Sequence, residues 1–189
     1  MKAPQKRPYD ISKFKKEKGL VIVYTGEGKG KTTAALGLAL RAVGCKKKAF
    51  MVQFMKGTWK YGELEAAQRL KPYFEMKALG TGFTWDTQNR AQDIESCRKT
   101  WEFAKQAIQS NQYDIVILDE INYVLDYKFL SAKDVVSFLK KKPAKLHVVL
   151  TGRNAPKSLI QIADLVTEMK EVKHPFKDQH ILAQRGIDF

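Results

Sequence analysis

The chain has 189 residues, of which 44% are hydrophobic and 29% charged, and its 34 Lys+Arg against 20 Asp+Glu leave a formal charge of +14. That length fits one domain, or one domain with an arm, and the composition is not that of a disordered chain. Two cysteines, Cys45 and Cys97, exclude a disulfide framework and a cysteine-built zinc cluster, and no apolar run reaches the ~18–20 residues of a membrane span. The surplus of positive charge points to anionic partners (nucleic acid, a membrane surface or phosphorylated small molecules), with a plain solvated lysine surface as the alternative.

Residues 1–18 carry seven basic groups against Asp10 and Glu17, which is +5 of the total, and Pro4 and Pro8 keep the first half irregular. They read as a basic N-terminal arm ahead of a single α/β domain over 19–189. This lysine-rich start has no apolar stretch after it, so no secretory signal is expected and a cytoplasmic location is.

From Leu20 onward short apolar runs alternate with helical ones. Leu20–Tyr24 predicts a strand, Thr25–Gly30 a glycine-rich turn, and Lys31–Val43 a helix ended by Gly44. Ala49–Phe54 predicts a strand, Tyr61–Leu70 a helix stopped by Pro72, Phe74–Leu79 a third strand, and 80–86 a loop. Ile94, Cys97, Trp101, Ala104 and Ile108 fall at steps of three and four, one apolar helical stripe that makes Cys97 a core residue. Ile115–Leu118 predicts a strand running into Asp119-Glu120. Ser131 and Asp134 suggest a capping box for a helix over 132–140. Leu146–Leu150 predicts another strand, Pro156 opens a helix to Ala163, and Leu165–Met169 predicts a last strand. Such alternation implies a mostly parallel sheet with helices on both faces, and ligands of such sheets bind beyond the C-terminal strand ends. The polar loops 25–33, 119–120 and 151–153 all fall at such ends.

The most specific feature is Thr25-Gly26-Glu27-Gly28-Lys29-Gly30-Lys31-Thr32-Thr33 between a strand and a helix. Glycines let the backbone curl so that amides converge on phosphate oxygens, and the helix start adds its positive end. Lys31 can pair with phosphate, and the Thr32 hydroxyl can serve Mg²⁺. The general pattern G-x-x-x-x-G-K-[ST] has Gly where this chain has Thr25. Asp119-Glu120, ending an apolar strand, sits where P-loop proteins place the acid that serves Mg²⁺. The residues therefore predict a P-loop fold that binds Mg²⁺ and a nucleotide, with ATP the first choice. The fate of the nucleotide stays open at this level, and a nucleic-acid-stimulated P-loop ATPase and a non-catalytic ATP sensor both fit. His147, His174 and His180 lack metal-ligand spacing, and no Ser/His/Asp set stands out.

The order of motifs closes part of that gap. They are Gly26–Ala35, Val52–Gly57, Gly80–Trp85, Leu118–Glu120, Leu150–Arg153, Ala163–Met169, Val172–Phe176 and Ala183–Phe189. Together they resemble the ATP:corrinoid adenosyltransferases of the P-loop type, whose loop also carries Thr in the first Gly position. The resemblance runs from about residue 20 onward and leaves the basic arm outside it. It implies transfer of the 5′-deoxyadenosyl group of ATP to the Co(I) centre of a corrinoid, with triphosphate released, in adenosylcobalamin biosynthesis or salvage. By the same resemblance Gly26, Glu27, Gly28, Lys29, Gly30, Lys31, Thr32, Thr33 and Arg153 bind the nucleotide, and Thr32, Asp119 and Glu120 hold Mg²⁺. Arg41, Gln53, Lys56 and Lys173 are further candidates for contacts. Phe83 and Trp85 become an apolar wedge that strips the axial ligand from Co(II) and so eases its reduction. A reduced flavoprotein donor and a homodimer are implied, with neither nucleic acid nor membrane as partner. If the wedge reading holds, Trp85→Ala lowers the rate from cob(II)alamin far more than from chemically generated cob(I)alamin. Equal losses in the two anaerobic assays would remove the wedge.

Overall fold

The computed structural model describes residues 17–55, 61–80 and 89–188. Six strands form one sheet: β1 (Val21–Thr25), β2 (Ala49–Gln53), β3 (Phe74–Ala78), β4 (Ile115–Asp119), β5 (His147–Thr151) and β6 (Leu165–Glu168). Their order is β3-β2-β4-β5-β1-β6, and every neighbouring pair is parallel. Seven helices among the described residues complete the layers: α1 (Lys31–Gly44), α2 (Gly62–Arg69), α3 (Arg90–Gln109), α4 (Ile121–Asp126), α5 (Ala132–Leu139), α6 (Lys157–Ile162) and α7 (Pro175–Gln179).

The strands read as unbroken apolar runs because both faces are covered, yet their period of two still sorts the side chains. Val21, Val23, Phe50, Val52, Val116, Leu118, Val148 and Leu150 point to the face covered by α3–α6 and pack with Trp101, Ile108, Val124 and Leu139. Ile22, Met51, Ile117 and Val149 point to the other face, where Ala35, Ala39 and Ala42 of α1 and Ala67 of α2 lie against them. Small alanines let α1 run close to the middle of the sheet, and it touches β1, β2, β3, β4 and β5.

The predicted strands are present, with boundaries moved by one residue or so. Gly44 is still helical and Cys45 is the residue that ends α1. Pro156 lies just outside α6 as its N-cap rather than in its first turn. Ser131 caps α5 as expected, accepting from the Asp134 amide. Cys97 is buried on the predicted stripe, and burial pushes its thiol up to about 12. The short helices α4 and α7 have too few residues for a period to show, and the pattern reading omitted both. Much of the expected 80–86 loop and most of the basic arm lie outside the described residues.

Candidate active site

Strand register builds the centre of the site. Gln53 is opposite Asp119, Leu118 is opposite Leu150, and Tyr24 is opposite Thr151. Gln53, Asp119 and Thr151 therefore end three adjacent strands in a row. By the period of two they share the face of Met51, Ile117 and Val149, which is the α1 face. All three are fully buried. Asp119 Oδ1 accepts from Thr151 Oγ1 at 2.8 Å and from Thr32 Oγ1 at 2.9 Å, and its Oδ2 accepts from Gln53 Nε2 at 2.9 Å. Three donors offset the cost of burying the carboxylate. They also tie the first turn of α1 to β2, β4 and β5.

The loop between β1 and α1 follows the predicted curl. Gly26 and Gly30 have φ of 94° and 108°, the left-handed region that favours glycine. The loop rests on the chain after β6: Gly28 N donates to Met169 O at 2.7 Å, and Met169 N donates to Thr25 O at 2.8 Å. Thr25, the departure from the general motif, has a use in this fold. Its hydroxyl accepts from the Ala155 amide at 3.1 Å and ties the loop to the segment between β5 and α6. Lys31 is buried, and its Nζ donates to Gly26 O at 2.8 Å and Gly28 O at 2.6 Å. Burial lowers its pKa, while the Glu120 carboxylate acts to raise it. The N-cap of α1 is Gly30, which has no side chain to bond the first amides of the helix.

Glu120 sits at φ 64°, unusual for a residue with a side chain, and its amide donates to Thr151 Oγ1 at 2.9 Å. Gly152 makes room for it: a Cβ there would lie 3.2 Å from Glu120 Oε2 and 3.0 Å from Asn122 Cβ. Asn122, fully buried, donates to Gly152 O at 2.9 Å and holds that loop in place. Tyr123 is pushed up to about 12 by burial and then by the Glu120 charge, so its phenol stays protonated. Arg153 pairs with Glu27 across the loop at 3.1 Å.

These groups surround a cavity of about 610 Å³. Its walls are the loop from Glu27 to Thr33 with Leu36 of α1, then Gly62 and Glu63 at the start of α2, Glu120, Tyr123 and Arg153, and residues 186–188. Of the predicted site residues, Glu27, Gly28, Lys29, Gly30, Lys31, Thr32, Thr33, Glu120 and Arg153 line this one cavity. Gly26 lies beneath it, supporting Lys31 through its carbonyl. Asp119 stands behind Thr32 rather than in the wall. Arg41, exposed in the last turn of α1, is roughly 15 Å along the helix from Lys31. Lys173 is exposed and outside the cavity wall. Phe83, Trp85 and Lys56 lie outside the described residues.

The Thr32 hydroxyl and the Glu120 carboxylate both line the cavity and offer oxygen donors only, the chemistry that Mg²⁺ takes. Among the described residues no cluster of three or more His, Cys, Asp or Glu could hold a metal by itself. His147 accepts from the Leu20 amide and His174 caps α7, so both serve the fold.

Comparison with known proteins agrees with this geometry. The family model described as ATP:corrinoid adenosyltransferase BtuR/CobO/CobP matches residues 17–189. The chain belongs to this family. A corrinoid adenosyltransferase of Escherichia coli (strain K12) is 44% identical over 180 residues, covering 95% of this chain and 90% of that one. A Sinorhizobium corrinoid adenosyltransferase is 47% identical over 175 residues, covering 92% and 81%. The corrinoid adenosyltransferase CobA of Salmonella typhimurium is 42% identical, with 95% and 90% covered. In fold alone, the chain is similar to the flagellar accessory protein FlaH of Methanocaldococcus jannaschii. The TM-score is 0.52 at 16% identity, with 80% of this chain and 71% of that one covered.

The loop geometry predicts opposite effects for two glycines. A Cβ at Gly26 would lie 2.5 Å from Met169 O at a positive φ, whereas one at Gly37 in α1 meets nothing within 4 Å. Gly26→Ala should lower stability by about 1–3 kcal/mol and impair ATP binding. Gly37→Ala should raise stability by about 1 kcal/mol and leave binding unchanged. Urea unfolding and calorimetric ATP titration check both.

Proposed function

We propose that this corrinoid adenosyltransferase moves the 5′-deoxyadenosyl group of ATP to the Co(I) centre of its corrinoid substrate and releases triphosphate, within adenosylcobalamin biosynthesis or salvage. The observation that carries the reading is the cavity itself, whose lining brings together the glycine-rich loop, Lys31 and Thr32 at the start of α1, and Glu120 after β4. Co(I) supplies the electron pair for the new cobalt–carbon bond. The C5′–O bond breaks, and triphosphate leaves with that bond's electrons. The step needs no protein nucleophile and no proton transfer, so the residues have to position and neutralise.

Positioning two reactants in line can be worth ~7–11 kcal/mol. Lys31, Lys29 and the loop amides are assigned to the triphosphate, where preorganised charge stabilises the leaving group. Mg²⁺, when bound, supplies further neutralisation of triphosphate oxygens, with the Thr32 hydroxyl and Glu120 carboxylate as its protein ligands. Asp119 is a positioning residue in this scheme, orienting the Thr32 hydroxyl. Arg153, freed from Glu27, reaches the same anion. Phe83 and Trp85 keep their assignment as the wedge against the corrinoid, on the family resemblance. A reduced flavoprotein donor, a homodimer and a cytoplasmic location belong to the same reading. Among the described residues no helix is long and apolar enough to cross a membrane.

Anaerobic incubation with ATP, Mg²⁺ and chemically reduced corrinoid should yield a light-sensitive cobalt–carbon product and an equal amount of triphosphate. ADP and phosphate in their place would favour the ATPase alternative. Lys31→Ala should cut turnover roughly a hundredfold or more, since it removes a charge aimed at the leaving group. Near-normal turnover would take Lys31 out of the site.

A further inference from the structure

Residues 186–188 build part of the cavity wall and take no part in the transfer step itself. These residues belong to a tight turn. Asp188 N donates to Gln184 O at 2.8 Å, Ile187 N to the same oxygen at 3.1 Å, and Gln184 N to Asp188 Oδ2 at 2.9 Å. Gly186 takes φ 80° within it. With Oδ2 occupied by its own turn, Asp188 directs Oδ1 at Lys29 Nζ, and the two form an ion pair. The Asp188 side chain is 13% exposed and that of Lys29 55%. The carboxylate is thus held by the turn, while the lysine is the more exposed partner.

Lys29, Lys31 and Arg153 all face the cavity. Lys31 is hydrogen-bonded to loop carbonyls, and Arg153 pairs with Glu27 of the loop itself. The partner of Lys29 comes instead from a segment remote in sequence. A carboxylate oxygen and a phosphate oxygen are equivalent acceptors for an ammonium group. A triphosphate that engages Lys29 therefore competes with Asp188 for its charge.

We propose that Asp188 is a built-in competitor of the triphosphate for Lys29, so that the 184–188 turn tunes how tightly triphosphate is held and how readily it leaves. This rests on the reading of the loop as the triphosphate site. The lysine end is largely exposed, so the competition is modest in size and suited to weakening product retention without blocking ATP.

The test is calorimetric titration of the full chain with sodium tripolyphosphate, and separately ATP, in the presence of Mg²⁺. Asp188→Asn keeps an acceptor for the Gln184 amide and removes the charge. It should tighten tripolyphosphate roughly two- to fivefold, the size of a partly exposed ion pair. Tripolyphosphate should also become a stronger inhibitor of the transfer reaction. In a Lys29→Gln background the same substitution should change nothing. Unchanged or weaker binding by Asp188→Asn overturns the proposal, as does equal tightening in the Lys29→Gln background. Lys31→Ala serves as the control for the site. If tripolyphosphate fails to bind the unmodified chain, or binds Lys31→Ala equally well, the triphosphate reading itself falls and this inference with it.

Discussion

A single buried carboxylate holds the site together. Asp119 ends β4 with no exposure to solvent and accepts from Thr32, Thr151 and Gln53, one donor from α1 and one from each neighbouring strand. Removing a charge from water is costly, and only full hydrogen bonding makes it tolerable. The requirement works as a constraint on geometry. The first turn of α1 has to approach the sheet at Thr32, so the loop before it has to curl where it does. Glu120, one residue on, is turned to a positive φ with its amide on Thr151, and its carboxylate reaches the cavity while that of Asp119 stays behind it. Two adjacent acids thus acquire different roles from their place on a strand end.

The loop is braced from behind by segments that come late in the chain. Met169 bonds both Thr25 and Gly28, and the Ala155 amide bonds the Thr25 hydroxyl. Thr25 is then no weakened version of a glycine motif. It exchanges conformational freedom for an anchor that glycine cannot provide, while Gly26 and Gly30 keep the positive φ values the curl requires. The overall charge of +14 reads differently in this light. Lys29, Lys31 and Arg153 account for part of it as a cluster around one cavity, each already engaged by a carbonyl or a carboxylate. A cationic site whose charges are individually satisfied can bind an anion tightly and still let it go.

Much of this was legible from the chain alone. The strands, α1, the apolar stripe of α3 and the capping residue Ser131 follow from local periodicity and chemistry, which depend only on nearby residues. That the loop residues and Glu120 share one cavity was legible because they follow the ends of parallel strands, where such loops gather. Gln53 was legible only as a candidate for ligand contact near the end of an apolar strand, and Thr151 only as part of a loop. Their shared task depends on register between strands far apart in sequence, which no local pattern encodes. Asn122 and Tyr123 were missed because α4 is too short to show a period, and the ion pair of Lys29 with Asp188 because nothing local links the two.

The amino-acid sequence by itself determined the parallel α/β architecture, the phosphate loop and the family, because each rests on spacing within short segments or on the order of motifs along the chain. Tertiary structure decided which acid faces the cavity, why Thr25 is tolerated, what supports the loop and which remote carboxylate meets Lys29. Those outcomes are set by strand register and by contacts between segments more than a hundred residues apart, where burial and hydrogen-bond satisfaction select the partners.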